Sequence, residues 1–69
     1  MPIKVVYRGE EIEVPRERIS AGELLAFLGL SHLSSIVIKN GEVVSEKEIL
    51  EEGDNIRIVN AISGGAEGP

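Results

Sequence analysis

Asn55-Ile56-Arg57-Ile58-Val59-Asn60 is the stretch whose placement decides the fold. Its composition is that of a β-strand, with Ile56 and Ile58 on one face by two-residue alternation and Arg57 and Val59 on the other. It comes after segments that read as a hairpin, a helix and a second hairpin. The chain between the first strand and this one is therefore long enough for a crossover, which lets the two lie side by side in parallel at the centre of one sheet.

Working back toward the N-terminus, Ser45-Glu46-Lys47-Glu48 has the spacing of a helix capping box ahead of Ile49-Leu50. Gly53-Asp54 follows so soon that only a turn or a short helix is predicted there. Ser35-Ile36-Val37-Ile38-Lys39 and Glu42-Val43-Val44 are strands by composition, and Asn40-Gly41 joins them, both residues tolerating the positive φ of a tight hairpin turn. Ile36-Val37-Ile38 is apolar on both faces, so alternation leaves the side taken by Ile38 open. Ser20-Ala21-Gly22-Glu23 is a second capping box, here followed by Leu24, Leu25, Phe27 and Leu28 in a broad apolar stripe, with Gly29 as the stop. A helix of two to three turns is expected. Ile3 to Arg8 and Glu11 to Val14, broken at Gly9-Glu10 and closed by Pro15, predict an N-terminal hairpin.

A helix with one apolar stripe and a sheet with one apolar face cover each other most simply as two layers. The expected class is α+β: a β-grasp, ubiquitin-like fold with a mixed sheet of four to five strands and one helix packed across one face. The expected core is Ile3, Val5, Ile12, Leu24, Leu28, Val43, Leu50, Ile56 and Ile58. Residues 1–62 form the domain. Ser63-Gly64-Gly65-Ala66-Glu67-Gly68-Pro69 has no apolar side chain larger than Ala to offset chain entropy, and a flexible C-terminal tail over 63–69 is expected.

Composition narrows the chemistry. A chain of 69 residues buries roughly 60% of its unfolded surface and has little room for a deep catalytic pocket. The absence of Cys removes disulfides, thiol nucleophiles and thiolate metal sites. Seven basic against twelve acidic side chains, a net charge of −5 and a single Tyr and Phe argue against nucleic acid as a partner. No apolar run approaches the roughly 20 residues of a membrane span. The opening Met-Pro-Ile-Lys-Val-Val lacks the layout of a signal peptide, which points to the cytoplasm. His32 follows Ser31 in a loop without a second ligand at metal spacing, so no metal site is expected. Glu10, Glu11 and Glu13, and Glu46, Glu48, Glu51 and Glu52, read as solvated charges rather than an acid–base pair, which would need burial to separate their pKa values. The serines have no His and Asp arrangement that would make one a nucleophile.

The order of elements, Asn40-Gly41-Glu42-Val43-Val44, Glu52-Gly53-Asp54 before the last strand, and Gly64-Gly65 just beyond it together resemble the ThiS/MoaD family of ubiquitin-like sulfur carriers, over residues 1 to 65. The resemblance implies a monomeric, non-enzymatic carrier that binds no cofactor of its own. An adenylating enzyme would use ATP to activate the carboxylate of Gly65, with Gly64 in the thin leader before it, and the product would be a thiocarboxylate. A sulfur-accepting biosynthetic enzyme would then draw on it for thiamine, molybdopterin or tRNA thiolation. Within this reading Ile38, Arg57, Val59 and Ile62 are the candidate partner contacts. Ala66-Glu67-Gly68-Pro69 departs from the family, because an internal carbonyl cannot be adenylated. Removal by a processing protease, a cloning remnant and lost activity all fit, and trimming after Gly65 is the reading preferred. The alternatives are a modifier conjugated to lysines, with Lys4, Lys39 and Lys47 as possible acceptors on the chain itself, and a β-grasp binding module that is never activated.

Overall fold

The computed structural model describes residues 2–60. Strands β1 (Ile3–Tyr7) and β2 (Glu10–Val14) pair antiparallel, with Ile3 opposite Val14 and Tyr7 opposite Glu10. Their turn is Arg8-Gly9, with φ of 55° and 78°, one residue earlier than the sequence suggests. Two central residues with positive φ match the twist of a hairpin, but Arg takes that conformation less readily than Asn or Gly.

Next come β3 (Arg18–Ser20) and α1 (Ala21–Phe27). The capping box forms as expected: the Glu23 N–H donates to Ser20 Oγ at 3.1 Å and the Ser20 N–H donates to Glu23 Oε1 at 3.2 Å. At the other end Gly29, at φ 75°, donates its N–H to the Ala26 carbonyl, and the Leu30 N–H reaches back to the Leu25 carbonyl at 2.8 Å. These two bonds close the helix in a Schellman motif. The Ala21 and Gly22 amides, which a first helical turn leaves without intrahelical acceptors, donate to the Glu48 and Glu46 carbonyls at 2.8 Å.

Strands β4 (Ser35–Lys39) and β5 (Glu42–Val44) pair through Asn40-Gly41, at φ 52° and 87°. β6 (Ile49–Glu51) and β7 (Ile56–Asn60) complete the described chain. The main sheet has the order β2-β1-β7-β4-β5, with β7 parallel to β1 and antiparallel to β4. The last strand is central, as its composition and the long crossover predict. Of the turn or short helix expected at Ser45-Glu46-Lys47-Glu48 the chain forms the turn, and, beyond that expectation, Ile49–Glu51 is a strand that pairs with Arg18–Ser20 in a second, two-stranded sheet. The carbonyls that a helix would have used internally instead receive the first amides of α1.

Ile3, Val5, Val14, Ile19, Ala21, Leu24, Leu25, Val37, Leu50, Ile56 and Ile58 form one buried cluster between the main sheet and the helix with its small companion sheet. Four apolar residues depart from expectation. Val43 is 70% exposed, because it pairs with Ile38 on the sheet face away from the helix. Ile12 lies opposite buried Val5 but on the edge strand, and is half-buried. Leu28 is half-buried at the margin of the core. Phe27 is 53% exposed, since it sits about 200° around the helix from Leu25. Among the described residues no helix is long and apolar enough to cross a membrane.

Candidate functional site

The face of the main sheet away from the helix follows from register, since directly paired residues project to the same side. Val6 pairs with Glu11 and Arg57, Arg57 with Ile38, and Ile38 with Val43, so one row runs Glu11, Val6, Arg57, Ile38, Val43 across all five strands. The neighbouring row holds Val59 opposite Ile36. This resolves the side of Ile38: it shares the outer face with Arg57 and Val59. Ile62, Gly64 and Gly65 lie outside the described residues.

The outer face is apolar but uncovered by any described element. Val6, Ile36, Ile38 and Val59 are half-buried by their neighbours in the sheet, while Arg57 and Val43 are exposed. Isolated exposed aliphatics are ordinary, but four β-branched side chains around one guanidinium make a contiguous patch suited to contact.

The two ends of this face differ in charge. Beside the start of β1, an open groove of about 590 Å³ is lined by Lys4, Val6, Glu11, Glu52, Asp54 and Asn55. Beside the ends of β1 and β7, a notch of about 330 Å³ is lined by Val6, Arg8, Gly9, Arg57, Ile58 and Val59. Sequence reasoning missed Arg8, which the turn assignment at Gly9-Glu10 left as the last residue of a strand. Val6 and Ile36 were also unnamed as contacts, and the signal for them was alternation: Val6 adjoins the core residue Val5, and Ile36 stands two residues from Ile38.

Lys39 belongs to a different set of contacts. Its strand parity directs it to the inner side at the sheet margin, where Nζ donates to Glu48 Oε2 and to the Ile49 carbonyl at 3.1 Å and lies 3.8 Å from Asp54 Oδ2. The hydrogen bond to Glu48, then the charges of Asp54, Glu48 and Glu51, raise its pKa above the ordinary lysine value, and partial desolvation opposes them. Asp54 in turn accepts from Asn40 Nδ2 at 3.3 Å and from the Glu51 N–H at 2.9 Å, and the Asn55 N–H donates to Asn40 Oδ1 at 2.9 Å. This network ties the β4–β5 turn to the loop entering β7. Lys39 is occupied, which leaves Lys4 and Lys47 as the freer of the three lysines.

The remaining polar candidates are dispersed. His32 Nε2 lies 3.9 Å from Glu46 Oε1, both exposed. Arg18 pairs with Glu51 at 3.3 Å across β3 and β6. Among the described residues no group of His, Cys, Asp and Glu gathers closely enough to hold a metal ion.

The sequence profile of the ThiS family matches residues 3–65 of the chain. The crystal structure of a thiamine biosynthesis protein (ThiS) from Geobacter metallireducens superposes with a TM-score of 0.65 at 23% identity, covering 91% of this chain and 100% of that one. The solution structure of a thiamine biosynthesis protein from the same organism gives 0.61 at 22% identity, covering 94% and 90%. The crystal structure of ATBAG1 in complex with HSP70 gives 0.68 at 12% identity, but this chain spans only 41% of it. At these identities the structures share the fold, a β-grasp with a mixed five-stranded sheet and one helix.

Proposed function

The chain belongs to the ThiS family of small sulfur-carrier proteins, and from that premise we propose that it carries sulfur as a thiocarboxylate on Gly65, supplying the thiazole of thiamine. The observation that carries this reading is the extent of the family match, which runs through the whole β-grasp and ends on the second residue of Gly64-Gly65. Among the three sulfur destinations implied for such carriers, thiamine is favoured because the Geobacter protein that shares the ThiS name is a thiamine biosynthesis protein.

The chemistry assigns the carrier a passive part. With Ala66 to Pro69 removed by a processing protease, a carboxylate oxygen of Gly65 attacks the α-phosphorus of ATP bound by an adenylating enzyme, and pyrophosphate leaves. A hydrosulfide-level donor then adds to the acyl carbon and expels AMP, leaving the thiocarboxylate for a sulfur-accepting enzyme. Glycine suits this because it has no Cβ to meet the wall of a narrow channel. The uncovered face with Ile38, Arg57 and Val59 is the surface offered to the adenylating enzyme, with Ile62 as a further contact on the path to Gly64.

The test is chemical. The chain ending at Gly65, incubated with ATP, the adenylating enzyme of the same cell and a sulfide donor, should gain the mass difference of one oxygen replaced by sulfur, and a Gly65 deletion should abolish the gain. Restoration of growth without thiamine to a strain lacking its own carrier should follow. Absence of the mass gain overturns the carrier reading, whereas covalent laddering of cell proteins without growth rescue would favour the modifier.

A further inference from the structure

The chain has an excess of acid, yet one notch of the outer face is lined by two arginines. Arg8 and Arg57 both line the notch beside the ends of β1 and β7, with Val6, Ile58 and Val59 as its apolar lining. No described carboxylate lies within ion-pairing distance of either guanidinium, whereas Arg18 and Lys39 are paired. The Arg8 guanidinium carbon lies 5.4 Å from the centroid of the Tyr7 ring. The acid nearest in register is Glu11, in the same row as Arg57 but two strands away. Glu10 follows the turn opposite Tyr7, and Glu13, opposite Lys4, lies at the far end of the face.

Position adds to charge. β7 runs parallel to β1, and its last described residue, Asn60, is at the notch end of the sheet. Arg8 follows Tyr7 at that same end, and Arg57 stands three residues before Asn60, beside Val6. The backbone at Arg8 points the same way: φ of 55° is a position where Asn or Gly would be more comfortable, and the chain keeps a long cation there.

We propose that Arg8 and Arg57 form a two-arginine receptor for an Asp or Glu side chain of the adenylating enzyme, fixing how that enzyme seats on the apolar outer face. This rests on the carrier reading for the identity of the partner. A planar guanidinium can hold a carboxylate through two parallel N–H···O bonds, and an apolar surround strengthens such bonds by excluding water. The acid-lined groove at the opposite end of the face disfavours the reversed orientation, so the charge pattern sets direction as well as affinity.

The experiment measures binding of the full 69-residue chain to the adenylating enzyme of the same cell without ATP, by calorimetry at about 50 and 300 mM NaCl. Two variants keep the fold: Arg8→Asn restores the favoured Asn-Gly turn, and Arg57→Thr places a β-branched residue on an exposed strand position. The parent should bind more weakly at the higher salt. Each variant should raise Kd about tenfold and the double variant about a hundredfold, with most of the salt dependence gone. Unchanged melting temperatures would assign the loss to the interface. A double variant within twofold of the parent, or no binding by the parent, overturns the receptor. The carrier reading is judged separately, by the mass gain of the chain ending at Gly65.

Discussion

The two faces of the main sheet are built from the same residue types and have opposite fates. Ile3, Val5, Val37, Ile56 and Ile58 on the inner face are buried beneath the helix, while Val6, Ile36, Ile38, Val43 and Val59 on the outer face have no described element over them. Composition alone cannot distinguish the sets, since both are β-branched aliphatics in the same strands. What separates them is the cover supplied by Ala21, Leu24, Leu25, Ile19 and Leu50. Burial, and the stability that comes with it, is concentrated on one face.

The contrast is tested most severely at Ile58. It is fully packed on the central strand, and Ile58→Ala should cost about 2 to 5 kcal/mol through lost burial and the cavity left behind. In a domain of this size that is a large share of total stability, and urea denaturation followed by circular dichroism should show the midpoint collapsing. If Ile58→Ala and an outer-face truncation shifted the midpoint equally, the assignment of stability to one face would fail.

A smaller effect tests the cover itself. Ser20→Ala removes the acceptor for the Glu23 N–H at the start of α1 and should cost about 1 kcal/mol in the same measurement. This capping box was legible in the sequence because its signal is local: a hydroxyl and a carboxylate three residues apart satisfy each other's backbone amides wherever the helix lies. Asn40-Gly41 was legible for the same reason. Ser45-Glu46-Lys47-Glu48 has the same spacing but forms a turn and not a short helix, because the Glu46 and Glu48 carbonyls are claimed by α1 and Ile49–Glu51 by Arg18–Ser20. Pairing between two three-residue strands some thirty positions apart leaves no local mark. The site was half legible. Arg57 and Val59 could be placed opposite Ile56 and Ile58 by alternation, but Val43 and Ile38 sit in runs apolar on both faces, and only register with β7 and β4 assigns them. Arg8 was hidden by a turn chemistry that favours Asn or Gly at its position.

The Lys39 network at the margin of the inner face has a pH signature. The folded state favours the ammonium over its ordinary pKa of 10.5, chiefly through the bond to Glu48, so its stabilising contribution is present in full below that value. It is lost as pH rises through the raised folded value. Lys39→Met should therefore lower the urea midpoint modestly at pH 8, and the difference from the parent should shrink in strong alkali. A difference constant across that range would mean that the contacts are made by the alkyl stem alone.

The mildest substitution sharpens the comparison from the other side. Val43 carries the same side chain as buried Val5 and Val14, yet it is 70% exposed on an edge strand opposite Ile38. Val43→Thr keeps the β-branch and nearly the same shape while exchanging a methyl for a hydroxyl that water can solvate. The stability change should stay within about 0.5 kcal/mol, whereas the same exchange at Val5 would bury an unsatisfied hydroxyl at a cost of about 1 to 3 kcal/mol. Measured as a pair, the two isosteric changes isolate burial from strand propensity, because residue, replacement and secondary structure are held constant. Equal losses would mean that Val43 is covered in solution, and the outer face would then no longer be available to a partner.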